Sequence, residues 1–208
     1  MEPLDKILSA AIELFRQYGF KTITMDDIAR RAGVSKKTLY LHFANKNEVV
    51  GETIAWYKGK ISENCCATME QSDNPIEAMV RIMEMFDQIN RQMNPLALLE
   101  LERFFPQVFK EFRDSMVEKD VQNIKANIEK GIEDGYYRPE IDAEFMARYR
   151  MELSLLMYHP TLLINDRFNL QFVGREVSEH FLYGIMTPKG EKLYQKYKEQ
   201  YFKQVSKI

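Results

Sequence analysis

Apolar residues at Leu4, Ile7, Leu8, Ala11, Leu14, Phe15 and Tyr18 recur at gaps of three and four, which lays one stripe along one face of a helix. Gly19 follows where a left-handed C-cap is usual. Thr24 precedes a short segment with Ile28, Ala29 and Ala32 on one side and Asp26 and Asp27 in its first turn. A hydroxyl cap and early carboxylates suit the positive end of a helix. Gly33 ends that segment, and Ser35 caps a third short helix carrying Lys36, Lys37, Thr38, Leu39, Tyr40 and His42. Asn45 and Glu48 make an Asn-x-x-Glu start, close to a capping box, for a fourth and longer helix through about residue 68.

Farther on, proline marks helix starts. Asn74-Pro75, Asn94-Pro95 and Thr187-Pro188 each pair a good N-cap with proline at the first helical position, and Pro106 is a further candidate. The periodic stretches run from Met79 to Met93, Leu96 to Phe105, Val108 to Ile132, Asp142 to Leu163 and Asn169 to Met186, with a charged tail helix from Lys189 to about Gln204. No internal repeat, low-complexity linker or alternating strand pattern interrupts them. The pattern predicts an all-α protein: a three-helix N-terminal domain over residues 1–47 and a larger helical domain over 48–208.

Composition narrows the class. With 45% hydrophobic and 29% charged residues, only 9 Gly and 7 Pro, the chain reads as globular. A run of about eighteen apolar residues and a secretory signal pattern are both missing, so a cytoplasmic protein without a membrane partner is expected. Cys65 and Cys66 are adjacent and make neither a zinc site nor a disulfide framework. The formal charge of −2 conceals an asymmetry: residues 1–48 hold eight basic and six acidic side chains, which places the anion-facing surface at the amino end.

Residues 24–43, TMDDIARRAGVSKKTLYLHF, carry the candidate chemistry. A helix-turn-helix needs a small residue where its helices approach, here Ala29, and a residue tolerant of positive φ in the turn, here Gly33 four positions on. Ile28, Val34 and Leu39 supply apolar anchors. Leu39 and Phe43 take the buried side of the third helix. Lys36, Lys37, Thr38, Tyr40 and His42 are donors of mixed length suited to base edges and phosphates in a major groove. The helix start offers free backbone N–H groups, and Lys46 is placed for a flanking phosphate.

Over residues 4 to about 54 the sequence resembles the TetR family of repressors. The resemblance rests on the first helix ending in Phe-x-x-Tyr-Gly-Phe, then Ala-Gly-Val-Ser, Thr-Leu-Tyr-x-His-Phe and Asn-Lys-x-Glu. It implies a fold of about nine helices, a homodimer and a ligand-binding C-terminal domain. It also implies operator contacts by Thr24, Ser35, Lys36, Lys37, Thr38, Tyr40, His42 and Lys46. The segment from Gly131 to Asp142 is similar to the family's turn before its eighth helix, and Phe181-Leu-Tyr-Gly-Ile to the end of its ninth. Residues 142–163 and 169–186 are therefore the expected dimer interface. Val173, Val177, Phe181 and Gly184 recur at helical spacing there, and Gly184 permits close approach.

Met79, Met83, Met85, Met93, Met116, Met146, Met151 and Met157 lie in the second domain with Phe86, Phe104, Phe105 and Phe109. Thioethers fill cores, and they also line adaptable apolar pockets. Trp56, Met83, Phe86, Phe104, Phe105 and Phe109 are the candidates for contact with an apolar or aromatic effector. Arg103, Arg148 and Arg150 read as surface, the cysteines as small packing residues, and no histidine pair has metal-ligand spacing. No metal and no cofactor is called for. Without a Gly-rich phosphate loop, nucleophile elbow or zinc signature, an enzyme is not expected. A helical adaptor with a structural corner, a small helical enzyme and an activator in place of a repressor are the alternatives.

Overall fold

The computed structural model describes residues 2–163 and 168–202. Among these residues it contains eleven helices: α1 (Pro3–Tyr18), α2 (Met25–Ala32), α3 (Lys36–His42), α4 (Lys46–Glu70), α5 (Pro75–Asn90), α6 (Ala97–Phe104), α7 (Pro106–Glu133), α8 (Ala143–Leu156), α9 (Pro160–Leu163), α10 (Leu170–Ile185) and α11 (Pro188–Tyr201). No strand is present among the described residues, and a single antiparallel bridge joins Tyr137 to Met186. The all-α reading holds. The count exceeds nine through α9 and the tail helix α11. The end of that tail helix expected near Gln204 lies outside the described residues.

The chain forms two compact units, Met1–Ile61 with Gln92–Ser115, and Ser62–Arg91 with Met116–Ile208. Helix α4 runs through the first into the second, and so does α7.

The first unit packs Ile7, Leu8, Ala11 and Phe15 of α1 against Ile28 and Ala29 of α2, Leu39 of α3, and Val49 and Val50 of α4. Ala97 and Leu101 of α6 join the same core. Phe15 stacks on Phe20 with ring centroids 4.8 Å apart. Helix α6 also braces the turn after α1: the Lys21 N–H donates to Glu100 Oε2 at 3.0 Å. Gly19 lies under that carboxylate with φ 83° and ψ 170°. Its φ is positive, as expected, but its ψ takes it out of the left-handed helical region, because the chain leaves α1 extended.

The second unit centres on Ile76, Val80 and Met83 of α5, Ile128 of α7, Phe181, Leu182 and Ile185 of α10, and Tyr194 of α11. Asn74 caps α5 and Thr187 caps α11, each with proline in the first turn as expected. Asn94-Pro95 behaves differently. The Asn94 side chain accepts the Leu96 N–H at 2.9 Å, closing an Asx turn, and the helix opens two residues later at Ala97.

The single helix expected over 142–163 is broken. Helix α8 stops at Leu156, and α9 restarts at Pro160. Proline carries no N–H and disfavours helical backbone in the residue before it, so the ladder cannot pass His159. Inward packing takes two of the four residues of the stripe expected to face a partner, while Val177 is half-buried and Gly184 stays exposed. Val173 and Phe181 are buried in the protomer, and Phe172, Tyr183 and Gly184 take the exposed side of α10.

Candidate nucleic-acid interface

Three local devices shape the corner formed by α2 and α3. At the start of α2 the Thr24 hydroxyl accepts the Asp27 N–H at 3.2 Å, and Asp27 Oδ2 accepts the Thr24 N–H at 3.0 Å, a reciprocal capping box. The Thr24 hydroxyl and backbone amide, with Arg30, hold the Asp27 carboxyl below its ordinary pKa. At the end of α2, Gly33 is left-handed with φ 66° and ψ 32°. Its N–H donates to Arg30 O and the Val34 N–H to Ala29 O at 3.0 Å, which is a Schellman closure. A side chain at 33 would have room but the wrong φ. Ser35 Oγ then accepts the Thr38 N–H at 3.0 Å and fixes the first turn of α3.

These devices set which side of α3 looks inward. Leu39 is fully buried and Phe43 nearly so. Lys36, Lys37, Tyr40, Leu41 and His42 are exposed, Thr38 is half-buried, and Tyr40 shows 52% of its surface. Five of the eight expected contact residues thus share the outward side of one seven-residue helix. Thr24 and Ser35 are exposed at its approaches, each acting as a cap, and Ser35 and Thr38 also share a hydroxyl–hydroxyl hydrogen bond of 2.8 Å.

The charges are partly engaged. Lys36 Nζ lies 2.5 Å from Asp26 Oδ2, with both groups exposed. Such a pair is worth about 0–1 kcal/mol and is screened by salt, so the ammonium can exchange its partner for a phosphate. Arg30 pairs with Asp27 and Arg31 with Glu13, ties within and across α1 and α2. Lys46 is half-buried, donates to the Lys21 carbonyl at 3.1 Å and lies 5.8 Å from the centre of the Phe105 ring. Burial lowers its pKa below the ordinary lysine value, with Glu100 and Asp27 acting the other way. An open cleft of about 570 Å³ lined by Leu14, Tyr18 and Ile23 adjoins these paired arginines.

Leu41, outside the expected contact set, is 76% exposed and sits among the donors. The signal was available: Leu41 stands two positions from both Leu39 and Phe43, roughly opposite each at about 100° per residue.

The six apolar candidates for effector contact divide between the units. Trp56, Phe105 and Phe109 pack against the first unit's core, and Phe104 is exposed in the same unit, with Lys21 Nζ 5.1 Å from its ring centre. Met83 is buried in the second unit's core, and Phe86 is half-buried on α5. Burial, with Asp120 and Cys66 nearby, pushes the Cys65 thiol up to about 12, so it stays protonated at neutral pH. Arg148 pairs with Glu144 on the surface, as read. Arg150 does not: its guanidinium donates to the buried Ser178 hydroxyl at 3.1 Å and lies over the Phe181 ring.

Comparison with known proteins finds similarity to transcriptional regulators. The model of bacterial regulatory proteins of the tetR family matches residues 7–53, the segment carrying α1 to α3 and the start of α4. The HTH-type transcriptional repressor KstR2 of Mycobacterium tuberculosis is 26% identical over 188 residues, covering 86% of this chain and 91% of its own. The HTH-type transcriptional regulator YhgD of Bacillus subtilis is 29% identical over 155 residues, covering 73% and 80%. In fold, the chain is similar to the transcriptional regulator FadR from Bacillus subtilis, solved in complex with stearoyl-CoA. The TM-score is 0.64 at 18% identity, with 88% of this chain and 99% of that one covered.

Proposed function

We propose that this chain, whose residues 7–53 match the model of bacterial regulatory proteins of the tetR family, is a transcriptional repressor that binds a pseudo-palindromic operator as a homodimer. The observation that carries the proposal is the outward side of α3, where Lys36, Lys37, Tyr40 and His42 stand exposed over the buried anchor Leu39. Thr38 and Lys46 complete the contacts on base edges and phosphates, with Thr24 and Ser35 at the edges of the footprint. A dimer places two such helices roughly 34–36 Å apart, one DNA turn, in successive major grooves.

The partner face we assign to α8 and α10. Among the described residues, the exposed large hydrophobics of the second unit are Phe145, Tyr149, Leu156, Phe168, Phe172 and Tyr183. All lie on these two helices or just ahead of α10. An apolar surface gathered on adjacent helices of one protomer is what an isologous interface buries.

The effector we propose is a largely apolar molecule held in the second unit, with Met83 and Phe86 as its first contacts to test. Helices α4 and α7, each shared by both units, are the covalent route by which effector binding alters the presentation of α3. A ligand moves such an equilibrium only by its differential affinity for the two states. Stearoyl-CoA, the ligand in the FadR complex, is the first probe. It should bind the free protein more tightly than the operator-bound protein. Equal affinity for the two would contradict release by this ligand.

A further inference from the structure

We infer that Leu41 reads a thymine methyl group in the operator, which makes it a specificity-determining residue of this chain; the inference rests on α3 being the reading helix. Leu41 is the most exposed of the large hydrophobic side chains in the described structure, at 76%. The fold does not require it there, since Leu39 and Phe43 hold the inward side of α3. Two residues from each of them, Leu41 projects from the middle of the outward side, where a helix lying in a major groove meets the base edges.

Its neighbours sharpen what it can recognise. Lys37 lies one turn before it and Thr38 three residues before it, with Tyr40 and His42 on either side in sequence. Ammonium, hydroxyl, phenol and imidazole can each bond a phosphate oxygen or a polar base edge. A leucine can bond neither. Seated against a polar edge or a phosphate, it would strip water from that group and give nothing back. The apolar group that base edges offer in the major groove is the thymine C5-methyl. The polar residues around Leu41 therefore fix the helix in register, and the leucine distinguishes thymine from cytosine at one position in each half-site.

The test uses the full-length protein and the operator recovered by selection from a random duplex pool. Each thymine is replaced in turn by uracil, which removes the methyl and leaves the base pair intact, and the wild type is compared with Leu41→Ala. At one symmetry-related pair of positions the wild type should lose about fourfold in affinity for a single replacement and about fifteenfold for both, the size expected for one buried methyl-sized group per half-site. Leu41→Ala should bind the thymine operator correspondingly less well and be indifferent to uracil at that pair. Tyr40→Ala should keep the discrimination. The exposure of Leu41 makes an unchanged melting temperature the expected control for folding. An operator in which no thymine costs the wild type more than Leu41→Ala would overturn the inference and leave the reading helix in place. Selection that recovers no operator would overturn both.

Discussion

In the first unit, the polar side chains that set the helix ends find their partners three residues away: Thr24 with Asp27, Ser35 with Thr38, Asn45 with Glu48. In the second, the caps are equally local, but other polar pairs span much more chain. Tyr201 donates to Glu77 Oε1 at 2.8 Å across 124 positions, and Asn74 to Tyr197 at 2.8 Å across 123. Asp87, buried on α5, accepts Arg175 Nε at 2.6 Å and Gln171 Nε2 at 3.0 Å from α10. The first unit builds its working surface from local chemistry that a sequence displays directly. The second adds to its local caps a set of polar contacts that exist only once α5, α10 and α11 have packed. The specificity proposed for DNA is accordingly written in a motif, and that proposed for an effector is not.

Mutations can break that contrast, and the largest effect should fall in the second unit. Asp87→Ala leaves the Arg175 guanidinium and the Gln171 amide without their shared acceptor. Stability should fall by about 3–5 kcal/mol, read from urea unfolding, the usual cost of removing one partner from a buried charged pair. A loss below about 1 kcal/mol would show that the network is as marginal as a surface pair. Thr24→Ala, its counterpart in the first unit, should cost about 1–2 kcal/mol, because a cap and one half of a capping box are lost while the core is untouched. Tyr40→Ala should stay within about 0.5 kcal/mol of wild type and still weaken operator binding by about tenfold or more. A large loss of stability would instead make Tyr40 a packing residue. Smallest is Lys37→Ala, which should leave the melting temperature unchanged and lower the slope of log affinity against log salt by about one unit. Lys46→Ala should lower the slope similarly but also melt earlier, since its ammonium is bonded to the Lys21 carbonyl.

How much of this was legible follows the same division. The 3.6-residue period, the caps at Thr24, Ser35, Asn74 and Thr187, and the glycine corner at 33 identify the helices and the proposed reading head, because each is settled within a few residues. The outward placement of Lys36, Lys37, Tyr40 and His42 follows from Leu39 and Phe43 on the buried side. The packing of Ala97 and Leu101 on the first unit's core, and of Glu100 over the turn after α1, depends on residues about eighty positions apart and left no local trace. Helix α10 shows the limit of periodicity. Its apolar residues occupy more than one side, and the spacing alone could not tell the stripe that packs inward, with Val173 and Phe181, from the side that carries Phe172 and Tyr183. Arg150 was hidden for a similar reason, since a charged residue reads as surface until a buried acceptor such as Ser178 is placed beside it.

The central claim, that the outward side of α3 is a paired DNA reader, is tested most directly by selecting bound fragments from a random duplex DNA pool at near-physiological salt. The account predicts enrichment of one pseudo-palindrome whose half-site centres lie about one helical turn apart, weakened with Tyr40→Ala. Enrichment of nothing above background, or of the same sequence by Tyr40→Ala with undiminished strength, would contradict it.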